Sequence, residues 1–187
     1  MPLPKILYAG DPRAAGLTSE VSRAGSSPLL VGWREWVGLP QLGLAGIMAK
    51  IDTGARTSAL HANSIEIFER TQETWVRFDV TGEGEQVPWH EMKLAGQRMV
   101  RSSNGISELR CVIATELRLG GRRWPIEVTL TNREKMELPM LIGREALAGR
   151  VIVDAAKSWQ CGKPGQSRRA STSGAGKRAR KAGAEQP

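Results

Sequence analysis

Lys50-Ile51-Asp52-Thr53-Gly54-Ala55-Arg56-Thr57-Ser58 is the stretch on which the reading of the whole chain turns. The run from Ala45 to Ile51 is apolar apart from Lys50 and reads as a strand that delivers an aspartate onto a turn. Gly54 gives that turn a residue able to take positive φ, and small polar residues follow before Ala59-Leu60 returns to the core. A tight turn at a strand end solvates a charge poorly but holds a carboxylate in one place. The tripeptide alone also fits an ordinary Asp-Thr-Gly β-turn, so its meaning depends on the rest of the chain.

Upstream, Leu30 to Val37 alternates as a first strand, Leu39-Pro40 stops it, and Gly43 sits in the turn before the strand 44–51. Downstream, Thr57 to Ala62 reads as a short strand or turn. Ile65 to Phe68 and Trp75 to Val80 alternate with period two around a hairpin loop at 70–74, and Thr81 to Gln86 is a polar loop. Trp89 to Leu94 alternates again. In Ser102-Ser103-Asn104-Gly105 the Asn-Gly pair predicts a type I′ hairpin, because both central residues of that turn need positive φ. Ile106 to Ile113 is its returning arm. Thr115 to Leu119 and Trp124 to Leu130 then pair about Gly120-Gly121. Pro139-Met140-Leu141-Ile142-Gly143 is a short apolar strand closed by glycine, Arg144 to Leu147 starts one short helix, and Val151 to Val153 is a last strand. About ten short strands and at most one short helix predict an all-β barrel or folded sheet. Trp89 and Trp124, both in alternating strands, are expected in the core.

The chain has 187 residues and a net charge of +8. Residues 1–28 read as a flexible leader, 29–159 as one domain, and 160–187 as a disordered basic tail. The tail holds Lys163, Arg168, Arg169, Lys177, Arg178, Arg180 and Lys181 against Glu185, a net of +6, and the leader carries +1, so only +1 belongs to the domain. The high pI is therefore a property of the tail, whose charge fits weak contact with nucleic acid or a ribosomal surface and equally fits a solubilising tail with no dedicated partner. No run of 18 apolar residues is present to span a membrane, and Lys5-Ile6-Leu7-Tyr8 is too short for a signal h-region, so the expected location is cytoplasmic. Two cysteines, Cys111 and Cys161, make neither a disulfide framework nor a thiolate metal site.

Asp52-Thr53-Gly54-Ala55, the Asn-Gly hairpin and Met140-Leu141-Ile142-Gly143-Arg144 follow one another in an order that resembles retropepsins, the single-domain aspartic proteases of retroviral type. Together with Gly32-Trp33-Arg34-Glu35-Trp36, Arg56-Thr57-Ser58-Ala59-Leu60-His61 and Leu130-Thr131-Asn132-Arg133, they are similar to a retropepsin-like bacterial and archaeal family labelled ATP-dependent zinc proteases. Some members of that family accompany, or are fused to, RimK, an ATP-grasp ligase that adds glutamate to a ribosomal protein. The resemblance covers about residues 30–158 and implies an acid-protease barrel with a dimeric active site.

The resemblance implies hydrolysis of peptide bonds, of glutamate-rich or ribosomal-protein-linked substrates, by a water activated between two carboxylates that share one proton. With one Asp-Thr-Gly per chain, this demands a homodimer that brings Asp52 from each subunit to the axis. Thr53 would fix the loop, Gly54 would let its N–H approach the carboxylates, and Ala55 would pack beneath. Ser102, Ser103, Asn104 and Gly105 would form a lid gripping substrate backbone, and Leu141, Ile142, Gly143 and Arg144 would support the loop. Arg56 and Arg144 would pair with acidic neighbours or read an acidic substrate; an ordinary ion pair is the plainer expectation. No cofactor or metal is expected. His61 and His90 lie 29 residues apart without a His-Glu-x-x-His, and a zinc held by them with Asp52 or Glu91 has no support in the spacing. ATP dependence would belong to a partner. The alternatives are a non-catalytic module that binds or regulates a RimK-type ligase, and a zinc-dependent peptidase.

Overall fold

The structure, a computed structural model, describes residues 27–80, 89–102 and 105–163. Eleven strands carry it: β1 (Leu29–Gly32), β2 (Arg34–Leu39), β3 (Leu44–Asp52), β4 (Ser58–His61), β5 (Asn63–Arg70), β6 (Glu73–Asp79), β7 (His90–Arg101), β8 (Ser107–Leu119), β9 (Arg122–Thr131), β10 (Met140–Gly143) and β11 (Val151–Asp154). The single α-helix among the described residues, α1 (Arg144–Leu147), lies between β10 and β11, and a 3-10 turn fills Pro40–Leu42. Proline starts that turn, and Gly43 ends it at φ 67°. Nine strands form one sheet in the order β2-β3-β10-β4-β9-β8-β7-β6-β5, and a further contact between Gly38 and Arg118 joins β2 to β8. Six strands thereby close into a ring. The fold is all-β, as the strand count predicts.

Alternation builds the interior. On β9, Trp124, Ile126, Val128 and Leu130 are buried; on β8, Leu117, Thr115 and Ile113 stand opposite the first three of them. Leu39, Leu60, Met140, Ile142, Leu119 and Val37 complete a core around the ring. Strand β4 is buried at all four residues because β9 and β10 flank it on both edges.

Several sequence expectations need correcting. The expected strand from Leu30 to Val37 breaks at Trp33, and its halves join different sheets, β1 pairing with β11 and β2 with β3. Trp33 donates its N–H to Lys157 O (2.9 Å) and accepts at its carbonyl from Ile51 N–H (2.8 Å), contacts that a period-two pattern cannot register. Gly32 lies so close to Lys157 that an added Cβ would fall 2.4 Å from its carbonyl oxygen. Trp89 is 50% exposed, not core, and its ring lies under Arg77, whereas Trp124 is buried and donates its Nε1–H to Ala146 O (2.9 Å). The expected strand from Trp89 to Leu94 starts at His90 and runs on past Gly96 to Arg101 as the single long strand β7. The loop after β6, at 81–86, lies outside the described residues.

Residues Gln160 and Cys161, read from sequence as the start of the tail, are fastened to the domain. Glu35 is fully buried, and its Oε1 accepts N–H groups from Gly32 (2.7 Å) and Gln160 (2.8 Å) while Oε2 accepts from Cys161 (3.1 Å). One carboxylate ties both chain ends of the fold together, which is how its charge is tolerated inside. Among the described residues, no helix is long and apolar enough to cross a membrane.

Candidate active site

Asp52 ends β3, and the chain then turns through 53–57 and enters β4. These two strands are consecutive in sequence but not adjacent in the sheet, because β10 runs between them, parallel to β3 and antiparallel to β4. Gly143 stands in register with Asp52. A Cβ there would lie 2.5 Å from Thr57 C and O and 2.8 Å from Arg56 O, so the turn can cross the end of β10 only over a glycine. Gly143 N–H donates to Ser58 Oγ (3.2 Å). The first amides of α1 close the crossing, Arg144 N–H on Ala55 O (2.9 Å) and Glu145 N–H on Arg56 O (3.1 Å). Amides that a helix start leaves unpaired are thus used to hold the turn. The Arg144 side chain adds Nη1 to Gly54 O (3.1 Å).

The turn in its own right grips the aspartate. Asp52 Oδ1 accepts from Gly54 N–H and Ala55 N–H, both at 3.1 Å. Lys50 Nζ lies 3.0 Å from Oδ2. Burial pushes the Asp52 carboxyl up, but the Lys50 ammonium and the two turn amides outweigh it and hold the group below its usual range. Gly54 supplies its N–H as expected, yet it does not adopt positive φ, and a Cβ on it would meet only Asp52 Oδ1, at 3.4 Å. The glycine that space demands is Gly143. Thr53 is exposed, and Ala55 is half-buried.

The two arginines flanking the motif differ. Arg56 is exposed and pairs with Glu145 at 2.7 Å, the plain ion pair, which raises its own pKa. Arg144 braces the turn backbone. Leu141 is half-buried and Ile142 buried, both in the strand under the turn. Ser102 and Gly105 lie at the end of the β7–β8 hairpin, where Gly105 (φ 81°) donates to Ser102 O (2.9 Å) and Ser102 N–H to Ile106 O (2.8 Å). The last strand pair is Arg101 with Ser107. Ser103 and Asn104 lie outside the described residues. Met99, Ile106 and Leu109 present exposed apolar side chains along this hairpin, with Met99 and Leu109 directly opposite each other.

Three site residues escaped the sequence reading: Lys50, Arg110 and Arg133. Lys50 could have been found, since residues i and i+2 of a strand share a face. Arg133, after β9, is half-buried; burial and the neighbouring Arg110 pull its pKa down, against the opposing pull of Asp52. Among the described residues its Nε is buried without a partner, and its Nη2 reaches only Leu138 O, at 3.4 Å. Arg110 is paired with Glu108 at 2.7 Å. His61 is buried; its Nδ1 accepts from Arg133 N–H (2.9 Å) and its Nε2 lies 3.2 Å from Asn63 Nδ2. Glu91 is taken by Arg70 at 2.5 Å. Among the described residues, no three His, Cys, Asp or Glu side chains converge.

Comparison with known proteins gives three findings. A family profile described as RimB-like, the retropepsin-like aspartic endopeptidase RimB, matches residues 30–164. Proteins named "Probable alpha-L-glutamate ligase" are similar over this region. That of Parasynechococcus marenigrum is 47% identical over 137 residues, 72% of this chain and 29% of its own length. That of Shewanella pealeana is 42% identical over 139 residues, 73% of this chain and 30% of its own length. The chain thus spans under a third of the curated relatives it matches. The crystal structure of Lpg0085 from Legionella pneumophila, a protein of unknown function, superposes with a TM-score of 0.60 at 29% identity, covering 72% of this chain and 99% of that one.

Proposed function

Since this chain belongs to the RimB-like family of retropepsin-like aspartic endopeptidases, we propose that it hydrolyses peptide bonds through two Asp52 carboxylates brought together in a homodimer. The observation that carries this reading is the bracing of Asp52. Two turn amides fix Oδ1, and the turn is fastened in turn to Gly143 and Arg144. A carboxylate used to activate water must be held in this way, because misplacement by an ångström costs about 100-fold in rate. Two such groups across a two-fold axis cannot both ionise comfortably, so they share a proton. One takes a proton from water as it attacks the carbonyl carbon, and the other donates to the carbonyl oxygen. The β7–β8 hairpin, with Ser102 and Gly105 at its end, is the proposed lid.

The proposed substrate is an acidic, glutamate-rich peptide. The charges of Arg133, Arg110 and Asp52 act on one another, and an anionic side chain bound there would offset the repulsion between the two guanidinium groups. The relatives named as glutamate ligases contain a region similar to this chain. That supports a RimK-type ligase or its glutamylated product as partner, in the same compartment. A second reading, a binding module that cuts nothing, is favoured by one observation: within a single chain, Lys50 already occupies Oδ2.

One titration separates them. The purified protein should cut a glutamate-rich reporter peptide, and Asp52→Asn should not. When increasing Asp52→Asn is mixed with native protein and allowed to exchange, activity should fall faster than in proportion to the native fraction, because mixed dimers hold one aspartate. Full activity in Asp52→Asn ends the catalytic reading, and strict proportionality ends the dimeric one.

A further inference from the structure

We propose that Lys50 is a positioning residue of this site: its ammonium holds Asp52 by Oδ2 and sets the pH range over which the paired carboxylates share a proton. The kinetic half of this inference rests on the peptidase reading; the electrostatic half does not.

Lys50 and Asp52 are two residues apart on β3, so both side chains leave the same face of the strand. The ammonium lies 3.0 Å from Oδ2, and the Lys50 side chain remains 51% exposed, so core packing does not place it there. Its cross-strand neighbour Arg34 does not compete for Asp52. The Arg34 guanidinium lies against the rings of Trp33 and Trp159 and bonds Ser158 Oγ (3.2 Å) and Glu137 (3.3 Å). From the other elements, Arg133 feels the charges of both Asp52 and Arg110 without a bond to either among the described residues, and Arg144 spends its contact on Gly54 O. Glu145, the nearest acid on α1, is engaged by Arg56 and, at 3.8 Å, by Arg98. Among the described residues, Lys50 is therefore the cation in direct contact with the carboxylate.

Two Asp52 groups meeting alone would bring two negative charges together, and repulsion would draw a proton in from mildly acidic solution. Each copy here arrives with its own ammonium, so the assembled cluster has two positive charges to set against two negative ones. The repulsion is offset, and the singly protonated state lies at lower pH than for the carboxylates alone. Removing Lys50 reverses this. The two protonation steps belong to the pair, and so both limbs of the rate profile should move together.

The test uses the full chain with Lys50→Met, Lys50→Gln and Lys50→Arg. Asp52 is followed by carbon-13 carboxyl shifts during a pH titration, and kcat/KM for a glutamate-rich peptide is measured across the same range. Lys50→Met and Lys50→Gln should move the Asp52 midpoint and both kinetic limbs to higher pH, and Lys50→Arg should leave them near the native values. An unmoved midpoint overturns the inference, as does a rate loss that is uniform in pH. A midpoint that moves while native protein cuts no peptide at any pH supports the role of Lys50 and refutes the peptidase reading.

Discussion

Replacing Gly143 by alanine tests the crossing that holds the active turn. The added methyl would lie 2.5 Å from Thr57 C and O and 2.8 Å from Arg56 O, all backbone atoms. An ordinary carbon contact is about 3.5 Å or more, so β10 and the 56–58 segment must part by roughly 1 Å. Neither side is free to yield. Strand β10 is laddered to β3 and β4, and the turn is held by Arg144 N–H on Ala55 O, Glu145 N–H on Arg56 O and Gly143 N–H on Ser58 Oγ. Forcing a methyl into such a contact costs about 3 kcal/mol, and stretching those hydrogen bonds adds about 1 kcal/mol. A loss of about 4 kcal/mol lowers Tm by roughly 10–15 °C in a domain of this size. Urea unfolding followed by tryptophan fluorescence reads it, with Gly54→Ala as the control, since that methyl meets only Asp52 Oδ1 at 3.4 Å. Gly54→Ala should cost under about 1 kcal/mol. Gly143→Ala should also lose hydrolysis by about 100-fold at a temperature where it remains folded, because Asp52 moves with the turn. Native stability in Gly143→Ala, or a larger loss in Gly54→Ala, would refute the account of the crossing.

Other outcomes follow from the same contacts. Asp52 has its pKa lowered in the fold, chiefly by Lys50 and the turn amides working against burial. Its stabilising contribution is present above the ordinary aspartate range and disappears as pH falls through the folded value. The stability gap between native protein and Asp52→Asn, from urea titrations at stepped pH, should therefore close on acidification. Ending the chain after Trp159 removes Gln160 and Cys161, two of the three amide donors to the buried Glu35. That truncation should lose about 3 kcal/mol, whereas ending it after Lys163 should cost little, as thermal melts of the two will show. Trp124→Phe deletes the buried bond to Ala146 O and should cost about 1–2 kcal/mol in the same assay.

What the sequence could and could not reveal divides along physical lines. Period-two alternation marks strands because it follows from the pleat, and it located Ile65 to Phe68, Trp75 to Val80 and Trp124 to Leu130. It could not show the break at Trp33, since nothing in the pattern of residues 30–37 registers that β1 and β2 part into separate sheets. Nor could it tell Trp89 from Trp124: both fall in alternating stretches of sequence, and only the burial of the second shows which face the ring covers. Motif order along the chain pointed to Asp52, Gly54 and Gly143, but the structure shifts the conformational constraint from one glycine to the other. Gly54 was expected to be the conformationally special glycine, whereas the constraint falls on Gly143, because a segment 86 positions earlier passes over its Cα. That constraint exists only once β10 lies between β3 and β4, a three-strand arrangement that no single stretch of residues encodes. Arg133 and Glu35 belong to the same class. Each is a charge whose environment is assembled from distant elements: Arg133 by β8 and the Asp52 turn, Glu35 by both ends of the domain. Lys50 is the exception that local periodicity contained, a cation two residues before an acid on one strand face. Apart from Lys50, the charges around the site are therefore the part of its chemistry least visible along the chain, and in the proposed dimer they are the part that would set the pH at which two Asp52 groups share a proton.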